Sequence, residues 1–121
     1  MTSLTRTGPG APSPDGQEHF HARLTAGRGT TVMVLDGEFD LAAYELFMQT
    51  LARVVAEDRP VEIDTSRVTL IDSTGLRGLL QARNLLGAER VLLVNPSTEV
   101  TRLLAMSGTR HLFHISEQPR A

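Results

Sequence analysis

The chain has 121 residues, of which 40% are hydrophobic and 21% charged, as is usual for one globular domain with a real core. Its formal net charge of −2 argues against nucleic acid as the main ligand, because contact with phosphates needs a basic surface. The absence of cysteine excludes disulfides and thiolate chemistry, and the lack of a long apolar run or a signal-peptide pattern predicts a cytoplasmic protein without a membrane contact.

The first ordered elements are predicted to form a β-hairpin. Residues 1–18 are rich in proline and glycine and predict a disordered tail. Order is expected from His19, where Phe20, Ala22 and Leu24 alternate with the period of a strand. Glycines at 27 and 29 predict a turn, and the β-branched run at 30–37 predicts the second strand.

The rest of the chain alternates helices with strands. Asp40 is the predicted N-cap of the first helix, and Pro96 is predicted at the first position of the third. The predicted helices cover 41–57, 74–86 and 97–107, and the predicted strands or apolar stretches cover 61–64, 68–71, 91–94 and 111–115. This order predicts an α/β domain over 19–116, with a mixed sheet of four to five strands, three to four helices and a C-terminal tail at 117–121.

The junction D-S-T-G, residues 72–75, stands where a strand gives way to a helix. Asp72 and Ser73 are of the types that commonly cap helices, and a capping role alone would explain one of them. Gly75 and Gly78 each cost about 1 kcal/mol relative to alanine in a helix, which indicates close approach by the neighbouring strand or by a partner's backbone. An exposed hydroxyl here would also suit phosphorylation, because the helix dipole accepts the added charge of about −1.5 to −2.

An enzyme or a metal site has less support. A nucleophilic Ser73 would need a nearby base, and the histidines lie towards the ends of the chain, at 19, 21, 111 and 114. The sequence contains none of the G-x-S-x-G, phosphate-loop and G-x-G-x-x-G motifs. His19 and His21 would share one strand face, but no third ligand has a recognisable spacing. We therefore expect solvated histidines, no metal and no catalytic residue.

Three passages together resemble one known family. D-G-E-F-D at 36–40 resembles its Gly-Glu-apolar-Asp motif, and V-T-L-I-D-S-T-G-L at 68–76 resembles its central signature of a strand followed by Asp-Ser-Ser/Thr-Gly-Leu. L-L-A-M-S-G at 103–108 resembles its L-x-x-x-G ending. The family is the STAS domain, particularly the small bacterial anti-sigma factor antagonists, and the resemblance extends over 19–116.

The resemblance implies a binding switch without a cofactor. In such proteins an anti-sigma factor that is also a serine kinase phosphorylates the first hydroxyl residue after the signature aspartate, here Ser73, with Thr74 as the alternative. The unphosphorylated antagonist binds the anti-sigma factor and frees the sigma factor, whereas the phosphorylated form releases its partner until a phosphatase resets it. The implied partner surface comprises Asp40, Asp72, Ser73, Thr74, Gly75, Leu76 and Arg77.

Two departures from the family pattern bear on these expectations. Arg77 stands where the family often has glycine, which would change the choice of partner. The chain ends soon after the last predicted strand, so the C-terminal helix of some members is expected to be short or missing. Two other functions remain as alternatives: a STAS scaffold or nucleotide-sensing module of another assembly, and a small serine hydrolase.

Overall fold

The computed structural model describes residues 19–118, so the predicted tail before His19 lies outside the described residues. The predicted hairpin consists of β1, Phe20–Ala26, and β2, Thr31–Phe39, which pair in antiparallel register from Phe20 opposite Gly37 to Ala26 opposite Thr31. β2 continues two residues beyond the predicted end at Gly37.

Three helices connect parallel strands in the rest of the domain. In chain order the elements are α1, Leu41–Val55; β3, Val61–Ile71; α2, Ser73–Leu86; β4, Val91–Val94; α3, Thr98–Ser107; and β5, His114–Ser116. The five strands lie in the order β1-β2-β3-β4-β5, and every pair after the hairpin is parallel. This arrangement confirms the predicted α/β domain with a mixed sheet.

The sheet and the helices form two layers around one core. Along β2 the side chains of Thr31, Met33 and Leu35 are buried while those between them are half-buried, so one face of the sheet is covered. Buried residues of all three helices belong to the same core as Met33 and Leu35, which shows that the helices pack on that face. None of the helices in residues 19–118 is long and apolar enough to cross a membrane.

Several predicted boundaries were wrong. The two short stretches at 61–64 and 68–71 are one strand of 11 residues, because β2 pairs with β3 as far as Phe39 opposite Ile71. Ser97 caps α3 by accepting a hydrogen bond from the Val100 N–H at 3.2 Å, so Pro96 precedes the helix and is not its first residue. The predicted strand at 111–115 begins at His114, after a turn of 3-10 helix at Arg110–Leu112.

Candidate functional site

The two signature aspartates occupy equivalent places on neighbouring strands. Phe39, at the end of β2, pairs with Ile71, at the end of β3. The next residue in each case, Asp40 or Asp72, is the N-cap of the helix that follows. The Asp72 N–H donates to the Phe39 carbonyl at 3.4 Å, which joins the two helix starts at the carboxyl edge of the sheet. In open α/β sheets this is the edge where ligands bind.

At the start of α2, the cap is provided by Asp72 and not by Ser73. Asp72 Oδ1 accepts hydrogen bonds from the Thr74 N–H at 2.9 Å and the Gly75 N–H at 3.1 Å. Ser73 is the first helical residue and is exposed, and its hydroxyl has no hydrogen bond within residues 19–118. The capping explanation therefore accounts for the aspartate and leaves the serine hydroxyl accessible.

The glycines of α2 are explained by close packing against the neighbouring strand and helix. A Cβ at Gly75 would lie 2.3 Å from the Phe39 carbonyl oxygen, and a Cβ at Gly78 would lie 2.7 Å from Cζ of the Phe39 ring. Of the two explanations offered by the sequence, approach by the neighbouring strand is therefore sufficient. These glycines hold the start of α2 against the end of β2.

Asp40 joins the start of α1 to the first strand. Its Oδ1 accepts from the Ala43 N–H at 3.2 Å and lies 3.1 Å from His19 Nε2. Burial acts to raise the pKa of Asp40, but the hydrogen bonds from His19 and Ala43 outweigh it and hold this pKa below its ordinary value. His19 was predicted to be solvated, which is wrong, because its side chain is only 18% exposed and contacts the Asp40 carboxylate.

The other predicted site residues differ in accessibility. Arg77 is exposed and Thr74 is half-buried, whereas Gly75 and Leu76 are buried. Leu76 is only 9% exposed and belongs to the hydrophobic core. The accessible side chains of this segment are therefore those of Asp72, Ser73 and Arg77.

Sequence reasoning missed two exposed leucines near the aspartates. Leu41, directly after Asp40, is 74% exposed, and Leu70, two residues before Asp72, is 45% exposed. Leu41 lies off the helical spacing of the buried Ala43, Phe47 and Leu51, and this spacing is the signal that could have identified it as exposed. Single exposed leucines are common on protein surfaces, so these two residues do not by themselves mark a binding site.

Comparison with known proteins agrees with this architecture. A STAS-domain containing protein of Pseudomonas aeruginosa is 36% identical over 107 residues, which cover 87% of this chain and 94% of that protein. The crystal structure of an anti-sigma factor antagonist from Mycobacterium paratuberculosis matches with a TM-score of 0.74 and 25% identity, covering 80% of this chain and 85% of that one.

The anti-sigma factor antagonist SpoIIAA has the same fold. Its unphosphorylated form matches with a TM-score of 0.65 and 24% identity, covering 84% of this chain and 89% of that one. The phosphorylated form of Bacillus SpoIIAA matches with a TM-score of 0.62 and 23% identity, covering 84% and 92%. The family model described as "Mlab, STAS domain" matches residues 22–114, which is most of the chain. Because this model covers residues 22–114 and the Pseudomonas protein is 36% identical over 87% of the chain, the chain belongs to the STAS domain family.

Proposed function

We propose that this chain is a cytoplasmic anti-sigma factor antagonist that binds a serine-kinase anti-sigma factor and releases it when Ser73 is phosphorylated. Membership of the STAS family and the likeness to the mycobacterial antagonist support the antagonist role. The binding reaction needs no cofactor, and a phosphatase would restore the active form.

The observation that carries the proposal is the accessibility of Ser73 beside a cap that does not need it. The Ser73 hydroxyl is exposed at the first position of α2, where unpaired N–H groups and the helix dipole favour negative charge. Asp72 already satisfies two of these N–H groups. A kinase can therefore reach the hydroxyl, and a phosphate can be accepted without loss of the cap.

Electrostatics can operate the switch without rearrangement of the fold. Asp72 and Asp40 lie at adjacent helix starts, and a phosphate on Ser73 would add about −1.5 to −2 charges at this edge. A partner that covers the edge, including the exposed Leu41, would have to desolvate that charge. A desolvation cost of several kcal/mol changes affinity by orders of magnitude.

The test begins with the full chain, ATP and a candidate anti-sigma kinase, with mass spectrometry to locate the phosphate. We expect modification of Ser73 only when the kinase is present. In titrations against that partner, Ser73→Ala should bind like the unphosphorylated parent, and both Ser73→Asp and the phosphorylated parent should bind at least about tenfold more weakly. Phosphate found only on Thr74, or equal affinity of Ser73→Ala and Ser73→Asp, would contradict the proposal.

Two further variants separate charge from stability. Asp72→Asn keeps a good N-cap but removes the carboxylate charge. Any change in its affinity for the partner therefore measures the effect of that charge on binding. Thr101→Asp places a new charge on the exposed side of α3 and should leave affinity unchanged.

ATP hydrolysis or self-modification by the chain alone would favour the hydrolase alternative, and a stable complex with a partner that has no kinase activity would favour a STAS scaffold.

A further inference from the structure

We propose that His19, Glu38 and Asp40 form a binding site for a divalent cation, with Zn²⁺ as the ion that fits the donor set. One ligand atom from each residue lies within 4.8 Å of those of the other two. His19 directly precedes β1, Glu38 lies near the end of β2, and Asp40 directly precedes α1. The site goes beyond the proposed phosphorylation switch because it requires no partner.

Two of the donors already have the separation of neighbouring metal ligands. His19 Nε2 and Asp40 Oδ1 are 3.1 Å apart. Ligands with bonds of about 2.1 Å to a shared cation lie about 3.0 Å apart at a right angle and about 3.4 Å apart in a tetrahedron. The Glu38 side chain is exposed and can swing inward to become the third ligand.

The backbone fixes the relative positions of these residues. The Glu38 N–H donates to the His19 carbonyl at 2.8 Å. Between them in the sheet lies Gly37, at a φ of 108°, where a Cβ would lie 2.0 Å from the His19 carbonyl oxygen. Glycine therefore allows His19 to lie closer to β2 than any other residue would permit.

Asp40 can bind a cation while it caps α1. The Ala43 N–H and His19 both contact Oδ1 of its carboxylate. Oδ1 can bind the cation in place of the hydrogen bond from His19 and still accept from the Ala43 N–H, because each carboxylate oxygen has two lone pairs.

The donor set selects the class of cation. One imidazole nitrogen and two carboxylate oxygens suit Zn²⁺, which binds nitrogen and oxygen ligands and accepts three protein ligands plus water. Mg²⁺ prefers oxygen ligands in an octahedron and keeps several waters, so it should compete poorly here.

The test uses the full chain with any purification tag removed, since a histidine tag would itself bind the ion. After treatment with a chelator, Zn²⁺ is titrated by calorimetry and the melting temperature is recorded with and without the ion. We expect saturable binding of one ion per chain and a melting temperature several degrees higher with Zn²⁺, because an ion that binds only the folded state stabilises it. Mg²⁺ at the same concentration should have little effect.

Three variants and one matched control locate the site. His19→Ala, Glu38→Gln and Asp40→Asn should each weaken Zn²⁺ binding by at least about tenfold, and Asp40→Asn should do so while retaining a capping oxygen. His21→Ala changes the same residue type two positions along β1, where the side chain is exposed, and should bind Zn²⁺ like the parent. Absence of saturable binding, unchanged affinity in His19→Ala, or equal loss in His21→Ala would overturn the proposal.

Discussion

At the residue scale, Asp72 and Ser73 divide two tasks at the start of α2. Asp72 accepts the hydrogen bonds that begin the helix, and Ser73 presents its hydroxyl to solvent. Because stability depends on the aspartate and the proposed modification depends on the serine, a change at Ser73 can alter binding with little effect on folding.

Asp40 provides a test of the electrostatic description by pH. Its pKa in the folded protein lies below the ordinary value, so ionised Asp40 stabilises the fold above the unfolded pKa of about 3.9, and this contribution disappears as pH falls through the folded pKa. We expect the parent to exceed Asp40→Asn in free energy of unfolding at about pH 5, and the difference to shrink by about pH 3. Urea unfolding of the parent and of Asp40→Asn at each pH measures the two free energies of unfolding.

A matched variant shows whether that pH dependence belongs to Asp40. Asp58 is exposed in the loop before β3, and Asp58→Asn should differ little from the parent at either pH. A difference between the parent and Asp40→Asn that stays constant as pH falls would contradict a stabilising charge on Asp40.

At the element scale, two glycines allow α2 to pack closely against β2 and α1. Gly75 faces the carbonyl oxygen of Phe39, and Gly78 faces the rings of Phe39 and Phe47. The helix therefore gives up about 1 kcal/mol of intrinsic propensity at each glycine in exchange for close packing. This packing sets the position of Ser73 relative to Asp40.

Alanine at these glycines should destabilise the protein, although alanine normally favours a helix. In Gly75→Ala the Cβ meets a backbone oxygen that cannot move alone, so we expect a loss of about 1–3 kcal/mol in the free energy of unfolding. Gly78→Ala meets an aromatic ring that can tilt, so its loss should be smaller. Asn84→Ala, at an exposed position of the same helix, should be neutral or stabilising in the same denaturation assay. A gain of stability in Gly75→Ala would contradict the described packing.

At the scale of the whole molecule, three phenylalanines join β1, β2 and α1 beneath the proposed site. The rings of Phe20 and Phe39 stack with centroids 5.0 Å apart, and those of Phe39 and Phe47 lie 4.8 Å apart. All three side chains are almost fully buried. Phe39 is thus both the centre of this cluster and the residue directly before Asp40.

Removal of the Phe39 ring should therefore weaken the entire domain. We expect Phe39→Ala to lower the free energy of unfolding by about 3–5 kcal/mol, a large part of the roughly 5–15 kcal/mol that holds a domain folded. Leu41→Ala, two residues away at 74% exposure, should change it by less than about 0.5 kcal/mol. Thermal unfolding followed by circular dichroism compares the two variants. Similar losses in both would show that the cluster is not the centre of stability.

The sequence by itself determined the features that depend on local physics. The Asp40 cap, the hairpin turn, the alternation of strands with helices and the strand-to-helix junction at Asp72 were predicted because each follows from residue type and spacing within a few positions. The motif around Asp72 also indicated the STAS family, which the comparisons show. The role of Ser73 stays a prediction.

Only the tertiary structure decided the features that join distant residues. β3 continues through its polar middle because β2 lies beside it, and a pattern read along one strand does not contain that pairing. The contact between His19 and Asp40 joins residues 21 positions apart, and its geometry depends on the hairpin register and on Gly37. The 45% exposure of Leu70 likewise depends on the packing of other elements, since side chains of the same type are buried or exposed according to what lies on each face of a strand.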